Sequence, residues 1–284
     1  MGRFLDTADR LAHYGMNARG LSSRFVEAGG ARVHVYEGRG RGTLPPIVLV
    51  HGLGAAGPAF ARMIPRFLPH VKRVIVPELP GHGRSPHPGE RVTPDLLLDA
   101  MTGALDAVLD EPAIVCGNSL GGAVSLAYAA RRPERVRELV LVSPAGARLE
   151  ADEWRELVAA FDVHDRRTAK RFLERIYHRP PWFLALVAHE FPDVVRREAV
   201  RDVLETATPE GGALESELAS LRMPILLVWG RSDRLLPRAA LDWFRAHLPP
   251  QTIIEEPEAF GHSPQLEQPK RIAERILRFA REAR

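Results

Sequence analysis

The sequence predicts an α/β fold built on a mainly parallel sheet. Short runs that are apolar at every position recur along the chain, which is typical of strands covered on both faces. Segments with helical periodicity separate most of these runs, and this alternation indicates parallel strands joined by helices. Hydrophobic residues make up 45% of the 284 residues and charged residues 26%, a mixture that excludes a disordered or fibrous chain.

The strands are predicted from these runs and from one turn signal. A hairpin is expected over 24–28 and 31–36, because Gly29 and Gly30 between them accept the positive φ of a tight turn. Six further strands are expected at the apolar runs 47–50, 74–76, 113–116, 139–142, 225–229 and 252–254. The strand at 139–142 is therefore the sixth along the chain.

Four helices accompany these strands. The clearest begins at Pro94, because Thr93 is a favourable N-cap and proline is favoured in the first turn. The other three are expected over 120–132, 237–248 and 269–281. Near the amino end we also expect an amphipathic helix that packs on the body through Phe4, Leu5, Leu11 and Tyr14.

A long segment without strand-like runs interrupts the alternation at 147–221. It is rich in aromatic residues and carries 11 basic and 15 acidic residues, whereas the rest of the chain has a net charge of +7. We interpret it as a helical cap inserted after the sixth strand, and an extension packed on the sheet is the alternative. The predicted organisation is a helical extension over 1–22, a core over 23–146 and 222–284, and this cap.

Composition excludes several classes of protein. The net charge is only +3 and basic residues are interleaved with acidic ones, so we do not expect a nucleic-acid partner. No apolar run approaches the roughly 20 residues that cross a membrane, and no signal-peptide core is present near the amino end. We therefore expect a cytoplasmic protein with no integral membrane contact. The single cysteine, Cys116, excludes an internal disulfide; the oligomeric state is left open.

The strongest chemical signal is the sequence GNSLG at 117–121. It directly follows an apolar run and directly precedes a helix, which is the context that a nucleophile elbow requires. In such a turn Ser119 projects from the edge of the sheet, and Gly117 and Gly121 keep Cβ atoms out of a crowded place. The amino end of the following helix adds a positive field for a developing oxyanion.

A serine hydroxyl is a weak nucleophile and needs a base, which in turn needs an orienting carboxylate. In this architecture the order along the chain is serine, acid, histidine. Asp233 follows the run at 225–229, and His262 follows the next run. We therefore predict Ser119, Asp233 and His262 as a catalytic triad. The alternatives are that Asp233 caps the following helix and that His262 is an ordinary loop histidine.

The oxyanion formed in acyl transfer needs two backbone donors. One is expected from the N–H of Leu120, directly after the nucleophile. The other is expected from the loop after 47–50, whose sequence is HGLG at 51–54. There we choose the N–H of Leu53, and Gly54 is the alternative.

Taken together, these motifs resemble the serine-nucleophile branch of the α/β-hydrolase superfamily. The matching landmarks are HGLG at 51–54, ELPGHGRS at 78–85, GNSLGG at 117–122, WGRSD at 229–233 and GHSPQLEQP at 261–269. The resemblance implies an eight-stranded sheet with one antiparallel member, and no metal or organic cofactor. It also implies that Ser119 is the nucleophile, Asp233 the acid and His262 the base.

The leading functional expectation is an esterase or lipase-like enzyme that cleaves carboxylic esters through an acyl-enzyme. The aromatic cap indicates a small-molecule ester with an apolar acyl or alcohol group. Trp182, Leu186 and His189 have the spacing of one helix face in this cap. That face is expected either to pack against another helix or to form the roof of the pocket.

Two other functions stay open. One is a hydrolase of carbon–carbon bonds in ring-cleavage products of aromatic compounds, because Asn118 and the chain length resemble that branch. Ser263 after the catalytic histidine and the sequence GAAG at 54–57 depart from it. The other is a receptor-like member that binds a ligand with little turnover.

Overall fold

The structure is a computed structural model, and it describes residues 3–182, 184–213 and 215–283. Its strands are β1 (Leu21–Ala28), β2 (Ala31–Arg39), β3 (Ile47–Val50), β4 (Arg73–Pro77), β5 (Ala113–Ser119), β6 (Val136–Pro144), β7 (Ile225–Val228) and β8 (Ile253–Glu255). They form one eight-stranded sheet in the order β1-β2-β4-β3-β5-β6-β7-β8. Only β2 is antiparallel to both of its neighbours, and β3 to β8 are mutually parallel. The predicted sheet is therefore confirmed.

Helices flank this sheet. They are α1 (Arg3–Ala18), α2 (Ile64–Phe67), α3 (Pro94–Val108), α4 (Leu120–Arg131), α5 (Ala151–Ala160), α6 (Arg166–Ile176), α7 (Leu184–Val187), α8 (Phe191–Val195), α9 (Glu198–Thr206), α10 (Glu215–Ser220), α11 (Arg238–His247), α12 (Pro264–Glu267) and α13 (Pro269–Glu282). Thr93 caps α3 as predicted, because its Oγ1 accepts the N–H of Leu96 at 3.2 Å. Among the described residues, no helix is long and apolar enough to cross a bilayer.

The hydrophobic core lies on both faces of the sheet. In β3, Val48 and Val50 pack with α3, α4 and α11, whereas Ile47 and Leu49 pack with α2 and α13 on the other face. This division follows from the alternation of side chains along a strand. All four side chains are fully buried, and each contributes about 1.5–3 kcal/mol to stability.

The amino-terminal helix packs through a different face from the predicted one. Leu11 and Tyr14 are 66% and 69% exposed, so their predicted contact with the body is wrong. Met16 is fully buried instead, and His13 Nδ1 lies 2.9 Å from the hydroxyl of Tyr36. The helical pattern identified the helix but not the side that the sheet covers. The side chains of Phe4 and Leu5 lie outside the described part of the chain.

Between β6 and β7 the described residues form helices and no strand. We call residues 147–221 the helical insertion. An apolar cluster that includes Phe172, Val200 and Leu235 joins this insertion to the loop after β7. The insertion therefore packs on the same end of the sheet as the carboxyl ends of the parallel strands, where an α/β protein places its site.

Candidate active site

Ser119 ends β5 and directly precedes α4. Its backbone has φ 56° and ψ −122°, a conformation that residues with a Cβ rarely adopt. Such strain persists only where the surrounding packing enforces it, as at functional sites. The enforcing contact is the approach of α4 to β3, since a Cβ at Gly121 would lie 2.2 Å from the carbonyl oxygen of Val50. The strained turn predicted from GNSLG is thus present.

The structure brings His262 and Asp233 together. His262 Nδ1 lies 2.8 Å from Asp233 Oδ2, and both side chains are buried. An ionised carboxylate can only accept, so Nδ1 carries the proton and Nε2 is left as an acceptor. No hydrogen-bond partner reaches the buried Nε2 among the described residues. This nitrogen is available to take up a proton from a reacting group.

The second oxygen of Asp233 has a separate role. Oδ1 accepts the N–H of Leu235 at 2.9 Å and the N–H of Leu236 at 3.2 Å. The alternative in which Asp233 caps the following helix is wrong, because α11 begins at Arg238 with Pro237 as its N-cap and, among the described residues, Oδ1 of Asp233 bonds only the loop before it. These two bonds fix the carboxylate, so Oδ2 is held toward the imidazole.

Asn118 ties the loop that carries His262 to β5; we call this segment, residues 256–263, the histidine loop. Its Nδ2 donates to the carbonyl oxygens of His262 at 2.9 Å and Val142 at 3.0 Å. Its Oδ1 accepts from Gln265 Nε2 at 2.8 Å. The backbone of His262 is thus fixed beside the residue that precedes Ser119, although Nε2 makes no hydrogen bond to Ser119 itself. From the sequence, Asn118 indicates only a likeness to the carbon–carbon bond hydrolases, and this positioning role is not predicted.

The loop after β3 lies directly against the serine. A Cβ at Gly52 would lie 3.1 Å from Ser119 Cβ and 3.3 Å from the carbonyl oxygen of Asn118, so a glycine leaves the room that this approach requires. Leu53, Ser119 and Leu120 line one cavity. The structure therefore brings the two predicted oxyanion donors and the predicted nucleophile to one place.

Two buried histidines support this loop. His51 Nε2 accepts the N–H of Leu79 at 3.1 Å, and His82 Nδ1 lies 2.9 Å from the carbonyl oxygen of Pro80. Burial lowers the pKa of His51, and burial together with the neighbouring His51 lowers the pKa of His82 to about 3. Both imidazoles are therefore neutral near pH 7 and support the loop through hydrogen bonds to its backbone and that of its neighbour.

Glu78 is the buried carboxylate of the same region. Its Oε1 accepts the N–H of Gly57 and its Oε2 accepts the N–H of Arg84, both at 2.8 Å. His34 Nδ1 lies 3.0 Å from Oε2. Burial raises the pKa of Glu78, but the contacts with His34 and the backbone N–H groups outweigh burial and hold the pKa below its ordinary value. The ionised carboxylate thus links the 78–85 loop to Gly57, in the segment after β3, and to His34 of β2.

Glu267 connects the histidine loop to the helical insertion. Its Oε1 accepts the N–H of His178 at 2.7 Å and the N–H of Arg179 at 3.2 Å. Its Oε2 accepts the N–H of Gly261 at 2.9 Å, directly before His262. One carboxylate therefore accepts hydrogen bonds from three backbone N–H groups. Two belong to the helical insertion and one to the histidine loop. Sequence reasoning placed Glu267 in a motif but assigned it no role.

A cavity of about 220 Å³ extends from Ser119 between α4 and the helical insertion. Its wall is mostly apolar and includes Trp154 and Phe161 of α5. Arg131 and Glu217 are the charged side chains among the described lining residues. In the described part of the chain, no group of three or more His, Cys, Asp or Glu side chains is arranged to hold a metal ion.

Both interpretations of the face formed by Trp182, Leu186 and His189 are wrong. These side chains are 79%, 60% and 63% exposed, and none lines the cavity. α7 is a single turn, and that face is turned to solvent. The cavity is lined instead by Trp154, Leu157, Val158 and Phe161. Their i, i+3, i+4, i+7 spacing was the sequence signal that could have found this wall.

The comparison with known families agrees with this geometry. A family model described as the alpha/beta hydrolase fold matches residues 45–269. The chain belongs to the α/β-hydrolase family. It is an enzyme of the α/β-hydrolase type, and the resemblance inferred from the motifs is confirmed.

The relatives of this α/β-hydrolase differ in substrate. It is 31% identical over 252 residues to a pimeloyl-[acyl-carrier protein] methyl ester esterase of Aromatoleum aromaticum, covering 81% of this chain and 95% of that one. It is 29% identical over 284 residues to a 2-hydroxymuconate semialdehyde hydrolase of Pseudomonas sp. strain CF600, covering 92% and 94%. The crystal structure of a membrane phospholipase A, a bacterial virulence factor, shares the fold with a TM-score of 0.83 at 24% identity, covering 96% and 90%.

We predict that the free energy of unfolding of this α/β-hydrolase falls as the pH falls below about 6.5, the ordinary pKa of histidine. Folded His82 stays neutral because its pKa is lowered to about 3, whereas the unfolded chain takes up the proton. Proton uptake therefore favours unfolding by about 1.4 kcal/mol per pH unit for this group. In urea titrations between about pH 7.5 and about pH 5.5, His82→Asn should lose that part of the slope.

The matched control is His70→Asn, because His70 is exposed. It should keep the pH dependence of the parent protein. Glu78 does not contribute to the slope in this pH range. Its pKa is lowered in the folded protein, so its protonation reduces stability only below pH 4.5, the ordinary pKa of the group. A slope in His82→Asn equal to that of the parent would contradict the prediction.

We also predict that Glu267→Gln loosens the histidine loop. The amide keeps one acceptor oxygen and turns an NH₂ group toward a backbone donor, which costs about 1–3 kcal/mol. The melting temperature should fall by several degrees, and the amides of Gly261 and His178 should exchange hydrogen faster. Glu258→Gln is the control, because Glu258 is 81% exposed and pairs only with Arg231 among the described residues. Unchanged hydrogen exchange at both amides would refute this role of Glu267.

Proposed function

We propose that this α/β-hydrolase cleaves carboxylic esters through an acyl-enzyme, with Ser119 as nucleophile, His262 as general base and Asp233 as its orienting carboxylate. The observation that carries the proposal is the state of His262. Its Nδ1 is bound to Asp233, while its buried Nε2 has no partner among the described residues. Its backbone is fixed next to the strained turn that presents Ser119.

In the proposed reaction, Ser119 Oγ attacks the ester carbonyl carbon as its proton passes to His262 Nε2. The negative charge that develops on the carbonyl oxygen is stabilised by the N–H groups of Leu53 and Leu120. The tetrahedral intermediate then expels the alcohol, which takes the proton from His262. Water repeats the sequence on the acyl-enzyme and releases the acid. Each step uses groups of the chain itself, and the expectation of no cofactor stays a prediction.

We infer that the helical insertion acts as a cap that selects an apolar substrate. Its helices α5 and α9 line the cavity, and most of the lining is aliphatic or aromatic. The substrate class is supported by the esterase relative, whose printed name describes an ester of a carrier-bound acyl chain. We also propose the division into extension, core and cap, and a cytoplasmic location.

A carbon–carbon bond hydrolase is the second candidate, because the relative that acts on 2-hydroxymuconate semialdehyde aligns over 92% of this chain. The charge of the cavity favours the ester. An anionic dienoate needs a cation near the reacting carbon, but Arg131 is twelve residues along α4 from Ser119, about 18 Å at 1.5 Å per residue. Asn118 is occupied by His262, Val142 and Gln265 rather than directed to a substrate.

The test is the initial rate on p-nitrophenyl esters from acetate to palmitate. We expect turnover that falls by at least about 10³-fold in Ser119→Ala, because the nucleophile is removed while the cavity is kept. Ser22→Ala is the control, since Ser22 is exposed on β1. Its rates should equal those of the parent.

Other outcomes would replace the proposal. A full rate in Ser119→Ala would show that the serine is not the nucleophile. Bleaching of a coloured ring-cleavage product faster than any ester is cleaved would favour the carbon–carbon bond hydrolase. Tight binding of a ligand with negligible turnover of both substrate classes would favour a receptor-like function.

A further inference from the structure

One face of α4 lines the cavity along the whole helix. Leu120, Ala123, Ala127 and Arg131 contact the cavity at intervals of three or four residues, which is the spacing of one helix face. Ser119 lies directly before the first of them. At 1.5 Å per residue, the cavity therefore extends about 18 Å from the nucleophile to Arg131.

This elongated cavity is mostly apolar. Its volume of about 220 Å³ lies along the helix, and an extended chain follows that shape. Leu157 on α5 and Val203 on α9 form walls that offer no hydrogen bond to a polar chain, and Trp154 adds an aromatic surface with one indole N–H. The first cation along this path is Arg131 at the far end, where its Nη1 bonds Asp99 at 3.0 Å.

The side chains along this path are not fully buried. Ser119, Ala123 and Ala127 are partly accessible, and Arg131 is exposed. A short ester occupies only the part of the cavity next to Ser119. The length of the cavity is needed only for a substrate that has a long group attached to the reacting carbonyl or to its oxygen.

We propose that the site is specific for esters with one long, linear, apolar chain, extended along α4 from Ser119 toward Arg131. This inference rests on the proposed esterase function. Burial of each methylene along the wall contributes about 0.8 kcal/mol, so binding strengthens with chain length until the chain reaches the charged end of the cavity. Beyond that point additional methylenes gain nothing.

Ala123 and Ala127 allow the cavity to be shortened in steps. Ala123 is four residues from Ser119 and Ala127 eight residues, about 6 Å and about 12 Å along the helix axis. Both side chains are small and face the cavity. A phenylalanine at either position would narrow the cavity at a defined depth. The one at position 127 lies about two turns from Ser119 and does not reach the nucleophile or the oxyanion donors.

The experiment measures kcat/KM on p-nitrophenyl esters of linear acids from acetate to palmitate for the parent, Ala123→Phe and Ala127→Phe. The control is Ala246→Phe, because Ala246 is exposed on α11. The kcat/KM on each ester is divided by that of the same protein on acetate, so that only the effect of chain length is compared. Long chains should lose at least about tenfold in both blocked variants, and the loss should begin at a shorter chain in Ala123→Phe. The control should follow the parent.

A second series, acetate esters of linear alcohols, identifies the side of the ester that occupies the cavity. If the longest well-cleaved chain is shorter in the blocked variants than in the parent in either series, the inference is supported. The series that shows the shift identifies whether the acyl or the alcohol group lies along α4. Parent-like profiles of both blocked variants in both series would overturn it, and intact cleavage of acetate would then leave the proposed function standing. Absence of turnover in the parent on every ester would overturn the proposed function itself. If the phenylalanine variants do not fold, Ala123→Leu and Ala127→Leu provide the same two depths.

Discussion

The amino end of α4 approaches β3 so closely that no side chain fits between them. A Cβ at Gly121 would lie 2.2 Å from the carbonyl oxygen of Val50, and a Cβ at Gly117 would lie 2.0 Å from the carbonyl oxygen of Gly121. This contact holds Ser119 at its positive φ, because α4 cannot move away from the strands to relax the turn that follows β5. It also brings the loop after β3 against the serine. The nucleophile and the proposed oxyanion donors are therefore positioned by one packing constraint.

Within the described part of the chain the histidine loop pairs with no strand, and two polar side chains hold it together with the carbonyl oxygen of Ile176. Asn118 binds the carbonyl oxygen of His262 from the sheet, and Glu267 binds the N–H of Gly261 from the opposite side. Each bond satisfies a backbone group that a loop would otherwise leave unpaired. The loop thus gains a fixed geometry without regular secondary structure, which a base needs if its free nitrogen is to stay aligned.

The sequence predicted what depends on short-range pattern. Apolar runs located the strands to within three residues, and GNSLG located the strained turn at Ser119, because both signals are contained in a few adjacent residues. The roles of Asn118 and Glu267 depend on partners 144 and 89 residues away, so no local pattern showed them. The exposed faces of α1 and α7 were missed for a related reason. Helical periodicity predicts an apolar stripe but does not identify the element that covers it.

The helical insertion contributes to the site through different helices. α5 lines the cavity, whereas the end of α6 bonds the loops that carry Asp233 and His262. Ile176 O accepts the N–H of His262 at 2.7 Å, and Arg175 O accepts the N–H of Arg234 at 3.1 Å. Exchange of side chains on α5 therefore changes the shape of the cavity without moving the backbone of His262. Substrate preference can diverge while the geometry of the reacting groups is retained. Such a separation would allow relatives of nearly equal identity to differ in activity, as the esterase and the 2-hydroxymuconate semialdehyde hydrolase do.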